Sequence, residues 1–494
     1  MSRVIVVGAG LAGLAAGCHL AGRGHEVVIT ERGPLPGGRA GREGSAGFVF
    51  DTGPSVLTMP QLIDDTLGAA GVRMSDVLTL RRLDPAYRAV YADGSTLRVR
   101  ADTAAMRAEI ARASGPADAA AYDRFVGWLA ELYDAEWSRF IDRNFDRALD
   151  LVSSPRAAAR LLRLGAFGRL GPAVRRRFAD PRLHRLFSFQ ALYAGLSPDA
   201  ALALYAVITY MDTVEGVWYP DGGMHAVPAA LAAACEKAGG QLRYGTEVTE
   251  ILRRTDTGAV AGVRFADGDR ERADAVVLTP DLPVAYQRLL PELRPPRAVR
   301  SGTYSPSAVV WHVGVRGPLD DEIAHHNIHF GHEWESSFDA LLNRGRLMPD
   351  PSRLVTVPSR SDAQAAPPGG STLFVLEPVP NLTADIDWSA QAGPMRERLL
   401  QFLDGAGYPT DVVAEQMVTP LDWERQGMHL GTPFALAHSF PQTGPFRPPN
   451  VEKRVPGVFF AGSGTVPGVG VPMVLISGKL AADRVGGYLG GGAR

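Results

Sequence analysis

Three glycines near the start of the chain have the spacing of a dinucleotide-binding turn. The β-branched run Val4-Ile5-Val6-Val7 predicts a buried parallel strand, and Gly8-Ala9-Gly10-Leu11-Ala12-Gly13 follows it at once. Gly8 permits the tight turn, Gly10 lets the backbone approach a pyrophosphate, and Gly13 lets the next helix pack on the strand. The N-terminus of that helix offers free N–H groups and positive dipole to the phosphates.

A carboxylate in the matching place strengthens this prediction. The segment Glu26-Val27-Val28-Ile29-Thr30 predicts a second strand, and Glu31 follows Gly10 by 21 residues. A carboxylate there accepts hydrogen bonds from a ribose diol. We include Arg32, beside this acid, and Val248, in a later predicted strand, among the cofactor-binding residues.

The next segment favours FAD over NAD. Gly37-Gly38-Arg39 combines two residues that allow close backbone approach with an arginine that can bind phosphate or ribose oxygens. A predicted strand, Phe48 to Asp51, then runs into the turn Gly53-Pro54-Ser55. Each feature alone could be a surface turn, but their order favours a flavin site.

The C-terminal region supplies a second half of the site. Gly457-Val458-Phe459-Phe460-Ala461 predicts a buried strand, which a glycine-rich stretch and a helix from about Met473 to Leu489 follow. The dipole of such a helix stabilises negative charge on a reduced flavin. We expect Gly462, Gly470, Val471, Pro472 and Met473 to bind the cofactor.

The chain resembles the bacterial-type phytoene desaturases of carotenoid biosynthesis over nearly its whole length. The motifs that carry the resemblance are Phe50-Asp51-Thr52-Gly53-Pro54-Ser55, Gly216-Val217-Trp218-Tyr219-Pro220 with Gly222-Gly223-Met224, Val375 to Leu382, Phe446-Arg447-Pro448, and Gly462 to Pro472. The resemblance implies FAD-dependent desaturation of phytoene to lycopene or its partly desaturated precursors, by hydride transfer from the polyene to flavin. The reduced flavin then needs an acceptor, a membrane quinone or oxygen.

Three alternatives remain open at this point. The chain could be an amine oxidase of the same superfamily. It could be a related carotenoid enzyme: a C30 diapophytoene desaturase, a hydroxy- or methoxycarotenoid dehydrogenase, or a carotene isomerase. It could be a prenyl-binding protein without flavin chemistry, against which the intact glycine motifs argue.

The predicted fold is α/β, with a discontinuous Rossmann-type FAD-binding domain, a mixed α+β substrate domain and a helical membrane-associating insert. Separate stretches of the chain contribute to each, since 494 residues exceed one compact core. We assign the FAD-binding domain to residues 1–100, 211–295 and 441–494, the helical substrate and membrane insert to 101–210, and the substrate domain to 296–440. Within the second FAD-binding part, Gly222 to Ala234 predicts a helix and Gln241 to Ile251 a strand.

A basic segment, residues 155–187, predicts contact with a membrane surface. It carries nine arginines and one acid, Asp180, and Leu170, Val174 and Phe178 repeat on one helical face. A solvated arginine face over a protein core explains the pattern equally well. The implied substrate favours the membrane, because a C40 hydrocarbon costs roughly 30 kcal/mol to transfer into water.

Several other side chains could do chemistry. His325, His326, His329 and His332 lie within eight residues, but strand alternation would spread them over both faces, so we predict no metal site. Trp218, Tyr219 and Met224 are predicted to line the substrate or flavin pocket. No catalytic acid or base can be named.

Composition limits the partners. The net charge of −2 gives no basis for nucleic-acid binding, and no stretch has the pattern of a signal peptide or a bilayer-spanning helix. Cys18 and Cys235 lie in apolar patterns, which predicts buried free thiols in a reducing compartment. We therefore expect a cytoplasmic protein, peripheral on the inner face of the cell membrane.

Overall fold

The computed structural model describes residues 2–147 and 155–491. Parts of the predicted helical insert (148–154) and of the last FAD-binding segment (492–494) lie outside these ranges. The strands are β1 Arg3–Val7, β2 Glu26–Thr30, β3 Arg42–Ser45, β4 Phe48–Asp51, β5 Leu80–Arg82, β6 Tyr87–Tyr91, β7 Thr96–Val99, β8 Trp218–Pro220, β9 Gln241–Arg243, β10 Val248–Arg253, β11 Val260–Phe265, β12 Arg270–Arg272, β13 Ala275–Leu278, β14 Ser307–Arg316, β15 His326–Phe330, β16 Arg353–Thr356, β17 Gly370–Val379, β18 Asp411–Val418 and β19 Val458–Phe460. The α-helices are α1 Leu11–Gly22, α2 Gln61–Ala69, α3 Met74–Val77, α4 Thr103–Ser114, α5 Pro116–Glu136, α6 Pro155–Arg163, α7 Leu170–Arg175, α8 Pro181–Leu186, α9 Ala206–Thr209, α10 Ala226–Lys237, α11 Leu282–Leu289, α12 Arg297–Ser301, α13 Glu335–Leu342, α14 Trp388–Gly405, α15 Pro420–Arg425 and α16 Val471–Leu489.

A five-stranded parallel sheet forms the dinucleotide-binding part, in the order β19-β13-β1-β2-β9. Four of its strands are short, apolar and mostly buried, as expected for a parallel sheet covered by helices, while the edge strand β9 is polar and partly exposed. Helices α1 and α16 pack against each other beside it. Strands from the beginning, middle and end of the chain thus meet in one sheet, which confirms the discontinuous FAD-binding domain.

The second FAD-binding part differs in detail from the sequence prediction. The strand predicted from Gln241 to Ile251 is two strands, β9 in the parallel sheet and β10 in a separate antiparallel sheet with β11 and β12. The turn at Gly245, with φ 63°, breaks the run between them. Helix α10 begins at Ala226, later than predicted, because Gly222 and Gly223 both have positive φ.

A seven-stranded sheet forms the second layer, in the order β18-β14-β17-β16-β15-β6-β7. Most of its strands come from the predicted substrate domain, residues 296–440. Strands β6 and β7 come from residues 87–99, which we had assigned to the first FAD-binding part. Strand β6 joins this sheet because its residues pair in parallel with β15, and β7 pairs with β6.

The basic segment folds as three short helices, α6, α7 and α8, packed on the protein core. Leu170, Val174 and Phe178, predicted as a membrane-facing stripe, are buried in the hydrophobic core, so that part of the prediction is wrong. The ring of Phe178, for example, packs against those of Phe125 and Phe187 rather than facing outward.

Across the described ranges, none of the helices has the length and apolar character needed to cross a membrane.

The histidine-rich segment forms β15 and the turns on either side of it. His326 is buried with its Nδ1 2.9 Å from Thr356 Oγ1, while His329 Nε2 lies 3.0 Å from the Tyr408 hydroxyl. In a strand these odd and even positions point to opposite faces, as predicted.

Candidate functional site

The turn after β1 depends on glycine at two positions. Gly8 has φ 105°, and a β-carbon there would lie 2.2 Å from Thr279 Oγ1. A β-carbon on Gly13 would lie 2.0 Å from the carbonyl oxygen of Gly8. Strand and helix therefore approach as closely as the sequence predicts, with the N-terminus of α1 open at Gly10.

Glu31 ties the end of β2 to this turn. Its Oε2 accepts a 2.9 Å hydrogen bond from the Ala9 N–H, and its Oε1 accepts one of 2.8 Å from the Gly33 N–H. Each oxygen keeps lone-pair capacity, so the carboxylate can also accept from a ribose diol. The neighbouring Arg32 donates instead to the carbonyl of Gln426.

The second glycine pair lies directly against the first turn. The Gly37 N–H donates to the Ala9 carbonyl at 2.8 Å. A β-carbon on Gly38, where φ is 56°, would lie 3.2 Å from the Gly10 α-carbon. The two backbone segments thus form one cradle with space for a phosphate rather than a side chain.

Arg39 connects this cradle to the C-terminal turn. Its Nη1 donates to Ser463 Oγ at 2.8 Å, across 424 residues of sequence. Burial lowers the pKa of Arg39, with Asp281 opposing the shift. Gly470, with φ 116°, precedes α16, and Pro472 lies in the first turn of that helix. The glycine turns from opposite ends of the chain therefore converge.

The predicted cofactor residues, with one exception, line one cavity of about 900 Å³. They are Gly8, Gly10, Glu31, Arg32, Gly37, Gly38, Arg39, Gly53, Pro54, Ser55, Val248, Gly462, Gly470, Val471, Pro472 and Met473. The exception is Gly13, which lies behind the turn and allows its packing. These positions fit a dinucleotide, since small residues, helix N-termini and an arginine face the same space.

The cavity continues from the dinucleotide turns over one face of the seven-stranded sheet. Val310 pairs with Leu376, Leu376 with Leu354, and Leu354 with Ile328, and all four line the cavity. This row crosses three strand spacings, about 14 Å. The helical insert covers it with Phe189, Leu192, Val207, Ile208 and Met211, among others. The walls are thus suited to a long apolar molecule.

Few ionisable groups face this apolar stretch. Burial raises the pKa of Asp212 and of Glu136 well above the ordinary values, and burial and Arg447 lower that of His438. All three line the cavity. Burial in the low-dielectric cavity wall thus disfavours the charged form of each of these side chains.

The sequence did not single out Glu136 or Asp212. Glu136 ends α5 where the chain enters a π-helix, Trp137–Ile141, and Asp212 lies in another, Tyr210–Glu215. π-Helical turns often occur at functional sites, but their positions cannot be predicted from a residue pattern. Conversely, Trp218, Tyr219 and Met224, predicted to line the pocket, lie outside the wall of the large cavity. Tyr219 instead donates to Asp51 Oδ2 at 3.1 Å.

Three exposed aromatic residues stand where the cavity reaches the surface. Phe167 is 43% exposed, Phe440 51% and Phe446 39%, and each lines the cavity. The rings of Phe440 and Phe446 are 5.8 Å apart. These three exposed rings, called the aromatic opening below, thus add apolar surface to the cavity wall.

Fold and site together define a dinucleotide-dependent oxidoreductase with a cavity for an apolar substrate. The family model for flavin-containing amine oxidoreductases matches residues 11–486. Phytoene dehydrogenase of Streptomyces griseus is 50% identical over 99% of this chain and 96% of its own length. The zeta-carotene-forming phytoene desaturase of Myxococcus xanthus is 36% identical over 98% of this chain and 93% of its own.

The chain belongs to the flavin-containing amine oxidoreductase family and, within it, to the phytoene desaturases. It is an FAD-dependent oxidoreductase. An oxidoreductase from Methanosarcina mazei of known structure superposes with a TM-score of 0.63 at 17% identity, covering 97% of this chain and 99% of that one. That likeness shows the fold alone.

Proposed function

We propose that this protein desaturates phytoene to lycopene or its partly desaturated precursors. The observation that carries the proposal is one cavity that joins the dinucleotide turns to an apolar sheet face. The relatives at 50% and 36% identity are named for phytoene, which favours carbon–carbon desaturation over amine oxidation.

The residues of the two converging turns would hold FAD. The N-termini of α1 and α16 face its negatively charged groups, Glu31 its ribose, and Arg39 an oxygen-rich part of the cofactor. When bound, FAD supplies the two-electron oxidation that desaturation requires. The protein orients the hydrocarbon along the row from Val310 to Ile328 and excludes water there.

The decisive test is incubation of the purified protein and FAD with phytoene in liposomes, followed by pigment analysis. We expect lycopene or its precursors. Unchanged phytoene together with turnover of an amine would establish the amine oxidase alternative. Unchanged phytoene with conversion of another carotenoid would establish one of the related carotenoid reactions.

We further propose that residues 155–187 and the aromatic opening dock on the inner face of the cell membrane. Arg163 and Arg176 are exposed on the same segment as Phe167. Leu162, 67% exposed, adds apolar surface beside them. Arginine with exposed aromatic and aliphatic side chains suits anionic lipid, from which an insoluble polyene could enter the cavity directly.

Flotation with anionic liposomes tests this docking. Several arginines are engaged within the protein: Arg175 pairs with Asp199 at 2.8 Å, and Arg177 stacks on Trp128 at 3.9 Å. Replacement of exposed Arg163 and Arg176 with Glu, combined with Phe167→Ser, should therefore release the protein from the vesicles. Replacement of Arg73 and Arg254, which are exposed elsewhere on the surface, with Glu should leave the protein bound to the vesicles. Unchanged flotation of the first variant would contradict the proposal.

The electron acceptor is proposed to be a membrane quinone or oxygen. Anaerobic turnover in liposomes with and without a quinone distinguishes the two. Turnover that needs oxygen even with quinone present would exclude the quinone.

A further inference from the structure

The proposed reaction leaves one proton for the protein to remove. Two C–H bonds on neighbouring carbons break. The hydrogen of the first C–H bond would leave with its electron pair, as a hydride, to FAD. The electron pair of the second C–H bond forms the new π bond, and its hydrogen leaves as a proton. The second proton is released inside an apolar cavity, where a free charge is strongly disfavoured. This inference rests on the proposed function.

Asp51 is a buried carboxylate directly behind the turn Gly53-Pro54-Ser55. It is 8% exposed, and Tyr219 donates to its Oδ2 at 3.1 Å. A β-carbon on Gly223 would lie 2.9 Å from its Oδ1, so the loop backbone approaches closely. Burial raises the pKa of Asp51, and hydrogen bonds from the backbone N–H groups of Met224 and His225 and from Tyr219 oppose that shift.

A second, small cavity separates Asp51 from the large one. Its volume is about 10 Å³, and its lining includes Ser55, Asp51, His312 and Thr356. Ser55 and Phe374 line both cavities. The space suits about one water molecule. His312 Nε2 is buried with no hydrogen-bond partner among the described residues, which gives such a water a polar neighbour.

On its other side Asp51 is covered by Tyr219, whose ring packs against a buried histidine. The ring of Tyr219 lies 4.5 Å from that of His325, centroid to centroid. His325 Nδ1 is 2.8 Å from Ser361 Oγ, and Ser361 is half-exposed. His325 Nε2 is buried without a partner in the described part of the chain.

We propose that Asp51 accepts the proton released by desaturation, through Ser55 and a water in the small cavity. The hydrogen bond that Tyr219 donates to Asp51 Oδ2 holds the carboxylate in place to accept that proton. Each transfer forms one O–H or N–H bond and breaks another, so no further reactant is needed. The path begins at the predicted cofactor turn and ends at the Asp51 carboxylate.

The two other buried acids of the cavity suit this task less well. Glu136 Oε1 has no hydrogen-bond partner among the described residues, and desolvation alone raises its pKa. Gln190 Nε2 lies 3.4 Å from each carboxylate oxygen of Asp212, and Tyr87 and the backbone also oppose the pKa shift, but burial still raises that pKa well above the ordinary value. Burial raises the pKa of both carboxyls, and neither lines the small cavity that adjoins Ser55. Asp51 instead lines the small cavity beside Ser55 and has the positive charge of Arg42 nearby.

The direct test replaces Asp51 with Asn, which keeps shape but cannot accept a proton. We expect turnover to fall by about 100-fold or more, the usual effect of losing a general base, with FAD content unchanged. Asp362→Asn, a matched loss of charge near Tyr219 and outside the path, should retain activity. Wild-type turnover in Asp51→Asn would overturn the proposal.

A readout without activity uses the apoprotein. Infrared titration of the Asp51 carboxyl, identified by its loss in Asp51→Asn, gives its pKa directly. Tyr219→Phe removes a hydrogen bond that lowers this pKa, so the titration should move to higher pH. The acid limb of the turnover profile should move with it. The groups that face Asp51 are Arg42, Tyr219, His225 and His312.

The outcomes separate this inference from the proposed function. An Asp51 carboxyl that stays protonated at pH 7 in the apoprotein, or a titration unmoved by Tyr219→Phe, would refute the proton path even if phytoene is converted. Failure of the wild-type protein to convert phytoene would instead refute the function. If Asp51→Asn does not fold, Tyr219→Phe still decides through the turnover profile, whose acid limb must move to higher pH, and an unmoved limb would refute the proposal.

Discussion

The α-carbon of Gly13 packs against the carbonyl oxygen of Gly8, where a β-carbon would lie 2.0 Å from that oxygen. Helix α1 is thereby held against β1, with its N-terminus facing the cavity. A backbone oxygen cannot move aside as a flexible side chain can. Only glycine, whose side chain is a single hydrogen atom, fits at position 13 of the cofactor turn.

We therefore expect Gly13→Ala to lose bound FAD and to destabilise the fold by at least ~1–3 kcal/mol, the typical cost of overpacking. Flavin absorbance of the purified protein and urea unfolding measure the two effects. Gly68→Ala is the control, because a β-carbon at this exposed position of α2 meets nothing within 4 Å. It should keep FAD and add ~0.5–1 kcal/mol of stability.

Glu31→Gln should weaken FAD binding. The variant keeps an oxygen for one of the two N–H groups, from Ala9 and Gly33, but turns an N–H donor toward the other. Charged hydrogen bonds contribute ~1.5–3 kcal/mol, so affinity should fall about 10- to 100-fold. Fluorescence titration of the apoprotein measures this. Glu26→Gln, on the same strand and paired with Arg3 at the surface, should leave affinity unchanged. Equal affinities for all three proteins would contradict the assigned role.

Leu354→Asn should weaken binding of the hydrocarbon. Leu354 lies in the middle of the row from Val310 to Ile328. An amide there would lose water without gaining a hydrogen bond when the substrate enters, at a cost of ~1–3 kcal/mol. KM for phytoene in liposomes should rise about 5- to 100-fold. Leu354→Met, which conserves volume and polarity, should change KM little. A KM equal to that of wild type in Leu354→Asn would place the substrate elsewhere.

Glu136→Gln should change how stability depends on pH. Burial raises the folded-state pKa of Glu136 above the ordinary value of 4.5. The folded protein then holds this proton more tightly than the unfolded chain, so stability falls as pH rises above about 4.5. The variant should gain stability over wild type at pH 8 and show a smaller gain at pH 4.

Urea unfolding at both pH values checks this. Glu131→Gln, on the exposed side of the same helix, should keep the wild-type difference between the two pH values. A Glu136→Gln variant that is less stable than wild type at pH 8 would show that the buried carboxylate has a partner.

The cofactor turn was predictable because its parts are neighbours in sequence. Strand β1, the glycines and Glu31 lie within the first 31 residues, so local rules of strand, turn and helix are enough. The C-terminal turn has the same order of strand, glycine-rich turn and helix, with Gly462 and Gly470 in the turn. Convergence of the two turns follows once both are assigned to one cofactor.

Other features depend on information that a single sequence lacks. An apolar stripe such as Leu170, Val174 and Phe178 has the same period whether lipid or protein covers it, and here protein does. The row from Val310 to Ile328 depends on the register of four strands separated by long loops. The approach of Tyr219 to Asp51 spans 168 residues. No local pattern encodes such pairings.

The order of the parallel sheet has a consequence for biosynthesis. Its edge strand β19 and the packing helix α16 emerge from the ribosome after more than 450 residues, whereas β1 emerges first. The parallel sheet therefore cannot be completed until β19 has been translated. Flavin colour in the cell is thus a marker of chains synthesised through α16, and nascent fragments that stop before it should depend on chaperones.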